Sequence, residues 1–139
     1  MSSAELENLV RIGSLRPEPP SRPEIDGLVS TAEQRLADAR NPANSLASRF
    51  DLAYNAAHAV CLAALRRRGY RSDQRYVVFQ TIAHTLGLHD AVRVLELAHR
   101  KRNRSEYHGV IDYNESLVAD LIVTAERALT ALRGALTKD

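Results

Sequence analysis

The sequence has 139 residues, which is enough for one domain of ordinary size and too few for two. Apolar residues make up 45% and charged residues 26%, the usage of a soluble globular protein, which excludes a disordered or fibrous chain. The formal net charge is only +2, but arginines are concentrated in two stretches, 66–75 and 100–104, so a phosphate-containing partner and an arginine-rich solvated surface are equally open.

Composition favours helices over strands. Glycine and proline are few, at 6 and 5 residues, and aromatic residues make up only 5%. The single cysteine, Cys61, has no partner for an intramolecular disulfide and lies in an apolar run, which is typical of a small buried residue and fits a reducing compartment. The N-terminus MSSAELENLV lacks the basic residues of a signal peptide, and no apolar stretch approaches the ~20 residues that span a bilayer. We therefore expect a cytoplasmic protein without a membrane segment.

The first 23 residues are predicted to form an arm. Residues 4–13 have a helical pattern, and the following stretch LRPEPPSRP contains four prolines between positions 17 and 23. Proline removes backbone donors and fixes φ, so this stretch is predicted to be an extended linker. The arm, residues 1–23, is expected to dock either on its own chain or on a partner, and residues 24–139 are predicted to form the helical bundle.

Two long helices are predicted after the linker. The sequence SRPE at 21–24 has the S-x-x-E form of a capping box, with its proline in the first turn, and apolar residues at helical spacing run from there to about residue 41. The next segment, about 43–68, carries an apolar stripe rich in small residues and ends before Gly69. Small residues on that stripe let neighbouring helices approach closely.

Three further helices are predicted from cap residues and glycine stops. Their bounds are Ser72 or Asp73 to Leu86, His89 or Asp90 to Gly109, and a cap signal at Asp112 to Glu115 followed by a helix through Leu136. Short loops between consecutive helices favour antiparallel neighbours. The sequence therefore predicts an all-α fold, an antiparallel up-and-down helical bundle of four to five main helices, with a short N-terminal helix on a proline-rich linker.

The stretch RKRNRSEYH, residues 100–108, concentrates groups that suit phosphate chemistry. On a helix, Arg102 and His108 are six residues apart, which places them about 240° apart around the axis and roughly 9 Å apart along it. Because they do not stack on one face, they border a common cleft only if a second helix or a symmetry-related subunit completes it.

The chain resembles the HEPN (higher eukaryotes and prokaryotes nucleotide-binding) family, and in particular a group of its short bacterial members. The resemblance is based on Arg102-Asn103 followed by His108, which matches an R-x(4 to 6)-H signature. It extends to the stretches SRFDLAYNAAHAV, ALRRRGYRS, RYVVFQTIAHTLGL and KRNRSEYHG. It covers the chain from about residue 9 to the last helix and implies a four-to-five-helix bundle that forms a homodimer.

Many members of that family are metal-independent endoribonucleases that act as toxins or in defence against phage. By the resemblance, Arg102 would hold the scissile phosphate, Asn103 would orient it, and His108 would act as base or acid. The flanking basic residues that would contact further RNA phosphates are Arg100, Lys101 and Arg104. RNA carries a 2′-hydroxyl that can attack the adjacent phosphate, so no metal and no cofactor is implied.

The sequence also departs from the family's commonest forms. Related short proteins often read R-N-x-x-E-Y, and by that alignment Tyr107, with Glu106, occupies the place of the usual histidine. The tyrosine that is adenylylated in some members is replaced by Val110 here. A second interpretation is therefore a non-cutting HEPN-like module in a toxin–antitoxin or defence complex, with a cognate antitoxin or a nucleotidyltransferase as its partner.

A second polar group lies on the helix that is rich in small residues. Tyr54, Asn55 and His58 would either line the same cleft as Arg102, together with Glu106 and Tyr107, or lock two helices together, and locking is favoured. Histidines at 84 and 99 are interpreted as boundary residues next to the core. The chain has no zinc-type histidine or cysteine spacing, no glycine-rich phosphate loop and no serine elbow, which disfavours metal, nucleotide-loop and acyl-transfer enzymes.

Overall fold

The structure is a computed structural model that describes residues 3–139, and it confirms the predicted all-α helical bundle. The helices are α1 (Ala4–Arg11), α2 (Arg22–Arg40), α3 (Leu46–Arg67), α4 (Arg75–Gln80), α5 (Ile82–Thr85), α6 (Ala91–His108) and α7 (Glu115–Thr137). Two short strands, β1 (Arg16–Pro17) and β2 (Tyr70–Arg71), pair in antiparallel fashion. Within this described range, no helix has the length and apolar content needed to cross a membrane.

Ion pairs between the long helices show that neighbours run in opposite directions. Glu33 pairs with Arg133 and Arg40 pairs with Glu126, so α2 and α7 are antiparallel. A short connection, residues 41–45, joins α2 to α3, and a loop of this length makes consecutive helices antiparallel neighbours. These contacts agree with the predicted up-and-down arrangement.

Helix α3 lies at the centre of the bundle because its buried surface is made mainly of small residues. Its buried alanines are Ala53, Ala56, Ala57, Ala59, Ala63 and Ala64. Near the start of the helix, Phe50 is fully buried and its ring stacks on Tyr113 at a centroid distance of 4.1 Å. Cys61 is buried as predicted, and burial raises the pKa of its thiol.

The N-terminal arm docks on its own chain. Leu6 of α1 and Leu15 of the linker are 0% and 4% exposed and belong to the same core as α3. The strand pairing then places Arg16 opposite Arg71, and the amide of Glu18 donates to the carbonyl oxygen of Gly69 at 2.9 Å. Of the two alternatives for the arm, docking in cis is the one that the structure shows.

A buried arginine fixes the linker to α3. The guanidinium of Arg66, 1% exposed, donates to a carboxylate oxygen of Glu24 at 2.8 Å and to the carbonyl oxygens of Glu18 and Pro19 at 2.9 and 2.7 Å. Arg71 of β2 pairs with the carboxylates of the same two glutamates. The proline-rich stretch, which has few backbone donors of its own, is therefore bonded through its acceptors.

The helix predicted to run through Leu86 is instead two short helices, α4 and α5, separated at Thr81. Thr81 is fully buried, and its hydroxyl donates to the carbonyl oxygen of Val78 at 2.7 Å. This side-chain bond competes with the regular backbone ladder and bends the chain. The prediction of one continuous helix was wrong because the sequence does not distinguish this threonine from one inside a regular helix.

The predicted cap of that helix was also wrong. Helix α4 starts after Gln74, which makes no side-chain capping bond. The hydroxyl of Ser72 accepts a hydrogen bond from the Gln74 amide at 3.1 Å, which is a turn rather than a cap, and Asp73 pairs with Arg16 of β1 at 3.0 Å. Both polar residues are therefore used by the strand pairing and its turn.

The capping box at the start of α2 forms only in half. The hydroxyl of Ser21 accepts a hydrogen bond from the amide of Glu24 at 3.4 Å, as predicted. The carboxylate of Glu24, which would bond back to Ser21 in a complete box, is instead taken by Arg66 and Arg71. These two guanidiniums hold the pKa of the Glu24 carboxyl below its usual value.

The end of α6 and the start of α7 match the sequence prediction. Gly109 ends α6 in the left-handed conformation, with φ of 67°, and the amide of Val110 bonds to the carbonyl oxygen of Arg104. The side-chain oxygen of Asn114 accepts from the amide of Leu117 at 3.0 Å and caps α7.

Replacing Gly109 by alanine is expected to lower the free energy of unfolding by about 1 kcal/mol, since only glycine adopts this backbone conformation without strain. The matched control is Gly27, an exposed glycine within α2 whose added Cβ meets no atom within 4 Å. Gly27→Ala is expected to raise stability by about 0.5–1 kcal/mol. Urea unfolding of both variants measures the two changes, and effects of the same sign would contradict the assigned helix end.

Candidate functional site

Tyr54 lies where α3, α4 and α6 meet. It is 1% exposed, and its hydroxyl lies 2.9 Å from Nδ1 of His99 on α6. The two rings are nearly parallel, with centroids 6.2 Å apart, and Phe79 of α4 contacts the Tyr54 ring edge-on at 5.4 Å. One hydrogen bond and two ring contacts therefore hold the three helices together at this point.

His99 is hydrogen-bonded at both ring nitrogens. Its Nε2 lies 3.2 Å from the side-chain nitrogen of Asn103, one turn further along α6, and its Nδ1 faces Tyr54. Partial burial, followed by the positive charges of Arg102 and Arg75, lowers the pKa of His99. The imidazole is therefore neutral at pH 7, and a neutral imidazole donates at one nitrogen and accepts at the other.

Two guanidiniums converge on Tyr54 from different helices. The Cζ of Arg75, at the start of α4, is 5.5 Å from the centroid of the Tyr54 ring, and the Cζ of Arg102, on α6, is 5.4 Å from it. The quadrupole of an aromatic ring attracts cations at this distance. Tyr54, Arg75, His99, Arg102 and Asn103 together form what is called below the arginine–histidine cluster.

Neither arginine of the cluster is neutralised by a carboxylate. No Asp or Glu oxygen within the described residues 3–139 lies within ion-pair distance of Arg75 or Arg102. Arg75 donates a hydrogen bond to the side-chain oxygen of Asn55 at 3.1 Å and also interacts with the Tyr54 hydroxyl. Both side chains are only partly buried, so the cluster presents uncompensated positive charge at the surface.

Asn55 and His58 support this cluster from α3. The side-chain nitrogen of Asn55 donates to the carbonyl oxygen of Asp51, which orients its oxygen toward Arg75. His58 packs edge-on against Phe79, and burial, with the nearby charges of Arg75 and His99, lowers its pKa to about 4. The polar group predicted on α3 ties helices together, as Tyr54 bonds to His99 of α6 and Asn55 to Arg75 of α4, and Tyr54 also contacts Arg102.

Acidic groups lie at the edge of the cluster. Burial and the negative charge of Glu106 raise the pKa of Asp51, whereas Arg102 acts in the opposite direction. Glu106 is exposed and, within residues 3–139, forms no ion pair with Arg102. The two carboxylates therefore border the site without neutralising its arginines.

Arg102 and Asn103 belong to the arginine–histidine cluster, but His108 does not. His108 is the last residue of α6 and is exposed, as is Tyr107, whose side chain is 74% exposed. In one chain the two members of the R-x(4 to 6)-H signature therefore lie on different faces of α6, as their spacing predicts.

The flanking basic residues differ in their availability. Lys101 and Arg104 both pair with Asp112 in the loop after α6, at 3.0 and 2.7 Å. Arg100 is exposed and, within the part of the chain that is described, forms no ion pair. Of these three predicted RNA contacts, Arg100 alone is free of a competing carboxylate.

Two residues of the cluster, His99 and Arg75, were not predicted as site residues. His99 was interpreted as a boundary histidine, although its position four residues before Asn103 is the spacing at which helical side chains touch. Arg75 has no such signal, because it reaches Arg102 only through the packing of α4 on α3 and α6. Local spacing could therefore have identified His99, but not Arg75.

Comparisons of the chain with known proteins suggest no function for this cluster. The chain matches no protein-family model, no curated protein and no solved structure. Among residues 3–139, no group of three or more histidine, cysteine, aspartate or glutamate side chains is arranged to hold a metal ion. The functional interpretation therefore depends on the cluster itself and on the sequence resemblance.

Proposed function

We propose that this protein is a HEPN-like RNA-binding protein that cleaves RNA without a metal ion and acts in the cytoplasm as a toxin or in defence against phage. The observation that carries the proposal is the guanidinium of Arg102. It is partly exposed, has no carboxylate partner among residues 3–139, and lies one turn along α6 from a neutral His99, which is hydrogen-bonded to Asn103. A partly exposed guanidinium without a carboxylate partner can donate hydrogen bonds to the oxygens of a phosphodiester.

In the proposed reaction the 2′-oxygen of one nucleotide attacks the adjacent phosphorus, and the bond from phosphorus to the 5′-oxygen of the next nucleotide breaks. One histidine accepts the proton of the 2′-hydroxyl, and a protonated histidine donates a proton to the leaving 5′-oxygen. The products are a 2′,3′-cyclic phosphate and a free 5′-hydroxyl. Arg102 stabilises the negative charge on the phosphorane, and Asn103 orients the phosphate.

The proposal assigns the proton transfers to His108 of two chains in a homodimer. In one chain His108 lies at the exposed end of α6, on a face different from that of Arg102. A two-fold axis near this helix end brings His108 of the partner subunit toward Arg102. The exposed side chains of Tyr107 and Ile111, 74% and 68% exposed, offer apolar surface for such an interface.

Purified protein is expected to cleave total cellular RNA equally well with and without EDTA. Arg102→Ala and His108→Ala are each expected to lower the cleavage rate by about 100-fold, because each removes a group that acts in the transition state. The matched control is Arg35→Ala, which removes an exposed arginine of α2 that forms no ion pair within residues 3–139, and its rate is expected to stay within about twofold of wild type.

Two results contradict this proposal in different ways. Loss of cleavage in EDTA would show that a metal ion takes part in the reaction. Intact RNA after incubation with wild-type protein, together with harmless expression in cells, would show that the protein does not cut RNA.

The second result would favour the alternative, a catalytically degenerate HEPN-like interaction module within a toxin–antitoxin or defence complex. The observation behind this alternative is the exposed apolar surface at the end of α6, formed by Tyr107, Val110 and Ile111. Its partner would be a cognate antitoxin or a nucleotidyltransferase, encoded next to this gene. Co-purification of the neighbouring gene product, lost in Ile111→Asp, is the expected result for the module.

A further inference from the structure

Arg75 and Arg102 place two positive charges around one aromatic ring. Each Cζ is within 5.5 Å of the same ring centroid, so the two like charges cannot be farther apart than twice that distance. Neither has a carboxylate partner among residues 3–139, although the chain pairs its other inward-facing arginines, such as Arg66 and Arg71, with acidic groups. The two guanidiniums thus form an unneutralised pair.

The N–H groups of this pair are largely available. The Arg102 guanidinium forms no hydrogen bond to other residues in the range 3–139, and Arg75 donates to Asn55 and interacts with the Tyr54 hydroxyl, which leaves its other N–H groups available. The aromatic ring of Tyr54 contacts both guanidiniums, and a ring face does not use the N–H groups of the cation that packs on it. Preorganised donors of this kind bind phosphate oxygens with little loss of side-chain freedom.

The positive charges of Arg75 and Arg102 act on the histidines nearby. Arg75 and Arg102 both contribute to the lowered pKa of His99, and Arg75 contributes to that of His58. An anion bound between the guanidiniums offsets this positive potential. By contrast, Lys101 and Arg104 are already offset by Asp112 and contribute less to such a field.

An exposed aromatic ring lies beside the pair. Tyr76 follows Arg75 on α4, is 44% exposed, and its ring centroid is 5.9 Å from that of His99. Single-stranded nucleic acids are bound by positive groups that contact the backbone and by aromatic rings on which bases stack. The combination of Arg75, Arg102 and Tyr76 therefore fits a single strand better than a duplex, whose bases are already stacked.

We infer that Arg75 is a second phosphate-binding residue, outside the HEPN signature, which together with Arg102 holds the backbone of a single-stranded RNA while Tyr76 stacks on a base. The inference deepens the proposed function and depends on it. Arg75 binds the strand next to the scissile phosphate and takes no part in proton transfer.

The test measures binding separately from cleavage. A short fluorescein-labelled single-stranded RNA with 2′-O-methyl groups cannot be cut, and its binding is followed by fluorescence anisotropy at several salt concentrations. Arg75→Ala is expected to weaken binding about tenfold and to reduce the slope of log K against log salt by about 0.7, the value for one lost phosphate contact on a single strand. Arg75→Gln, which can keep the bond to Asn55, is expected to lose the same contact.

The matched control is Arg93→Ala, which removes an exposed arginine of α6 outside the cluster that forms no ion pair within residues 3–139, with binding expected within twofold of wild type. If wild type binds RNA but both Arg75 variants keep its affinity and salt slope, the inference is wrong and the proposed function is unaffected. If wild type does not bind this RNA, both are wrong. Equal affinity for a duplex of the same sequence would overturn the assignment of a single strand.

Discussion

Replacing Arg66 by alanine is expected to lower the free energy of unfolding by about 3–5 kcal/mol. The side chain is 1% exposed and bonds to the carboxylate of Glu24 and to the carbonyl oxygens of Glu18, Pro19 and Tyr70. Removing it takes this donor from the three carbonyl oxygens and leaves the Glu24 carboxylate with Arg71 alone, in a partly buried place. The expected loss is therefore larger than that for truncation of a side chain at the surface.

The matched control for this prediction is the next residue of the same helix. Arg67 pairs with Asp139 at 2.7 Å, but this ion pair is partly exposed, so Arg67→Ala is expected to cost about 1 kcal/mol or less. Urea unfolding at pH 7 compares the two variants. Equal losses in Arg66→Ala and Arg67→Ala would show that the buried network does not hold the linker to α3.

Lowering the pH from 7 to 4 is expected to destabilise the protein by roughly 3 kcal/mol through His58 alone. Its folded-state pKa is about 4, below the ordinary value of 6.5, because the imidazole is largely buried and faces Arg75 and His99. The unfolded chain therefore binds this proton first. Stability is unaffected above the unfolded-state pKa, falls as the pH drops below it, and stops falling below the folded-state pKa.

The variant that isolates this effect is His58→Leu, which removes the titrating group. The difference in unfolding free energy between pH 7 and pH 4 is expected to be about 3 kcal/mol smaller in His58→Leu than in wild type. His89→Leu, which replaces an exposed histidine, is measured alongside as the reference for a histidine-to-leucine change at the surface. An unchanged pH dependence in His58→Leu would mean that His58 is solvated and takes up its proton in the folded state.

The elements of the fold were predictable because their signals are local. Ser21 and Asn114 accept hydrogen bonds from amides of the turns that they begin, and Gly109 ends α6 in the conformation that glycine favours. Such groups act over three or four residues of one helix, so the sequence contains all the information that they need. The same holds for the apolar spacing that buries α3 and α7.

Most departures from prediction involve partners distant in sequence. Glu24 leaves its capping box for Arg66 and Arg71, and Asp73 pairs with Arg16 across the strand pairing. The break at Thr81 is the exception, since its hydroxyl bonds to a carbonyl oxygen in the same turn. Whether a threonine hydroxyl bonds in this way or faces solvent depends on how the rest of the bundle buries it. Propensity alone does not decide between such alternatives.

By itself, the sequence determined an all-α bundle, the ends of most helices, the burial of Cys61, and the placement of Arg102 and His108 on different faces of one helix. Only the tertiary structure decided that the arm docks in cis, that His99 lies between Tyr54 and Asn103, and that Arg75 joins Arg102 over one aromatic ring. The reason is physical: backbone periodicity fixes which side chains of one helix share a face, whereas contacts between helices depend on how small residues such as those of α3 let them pack.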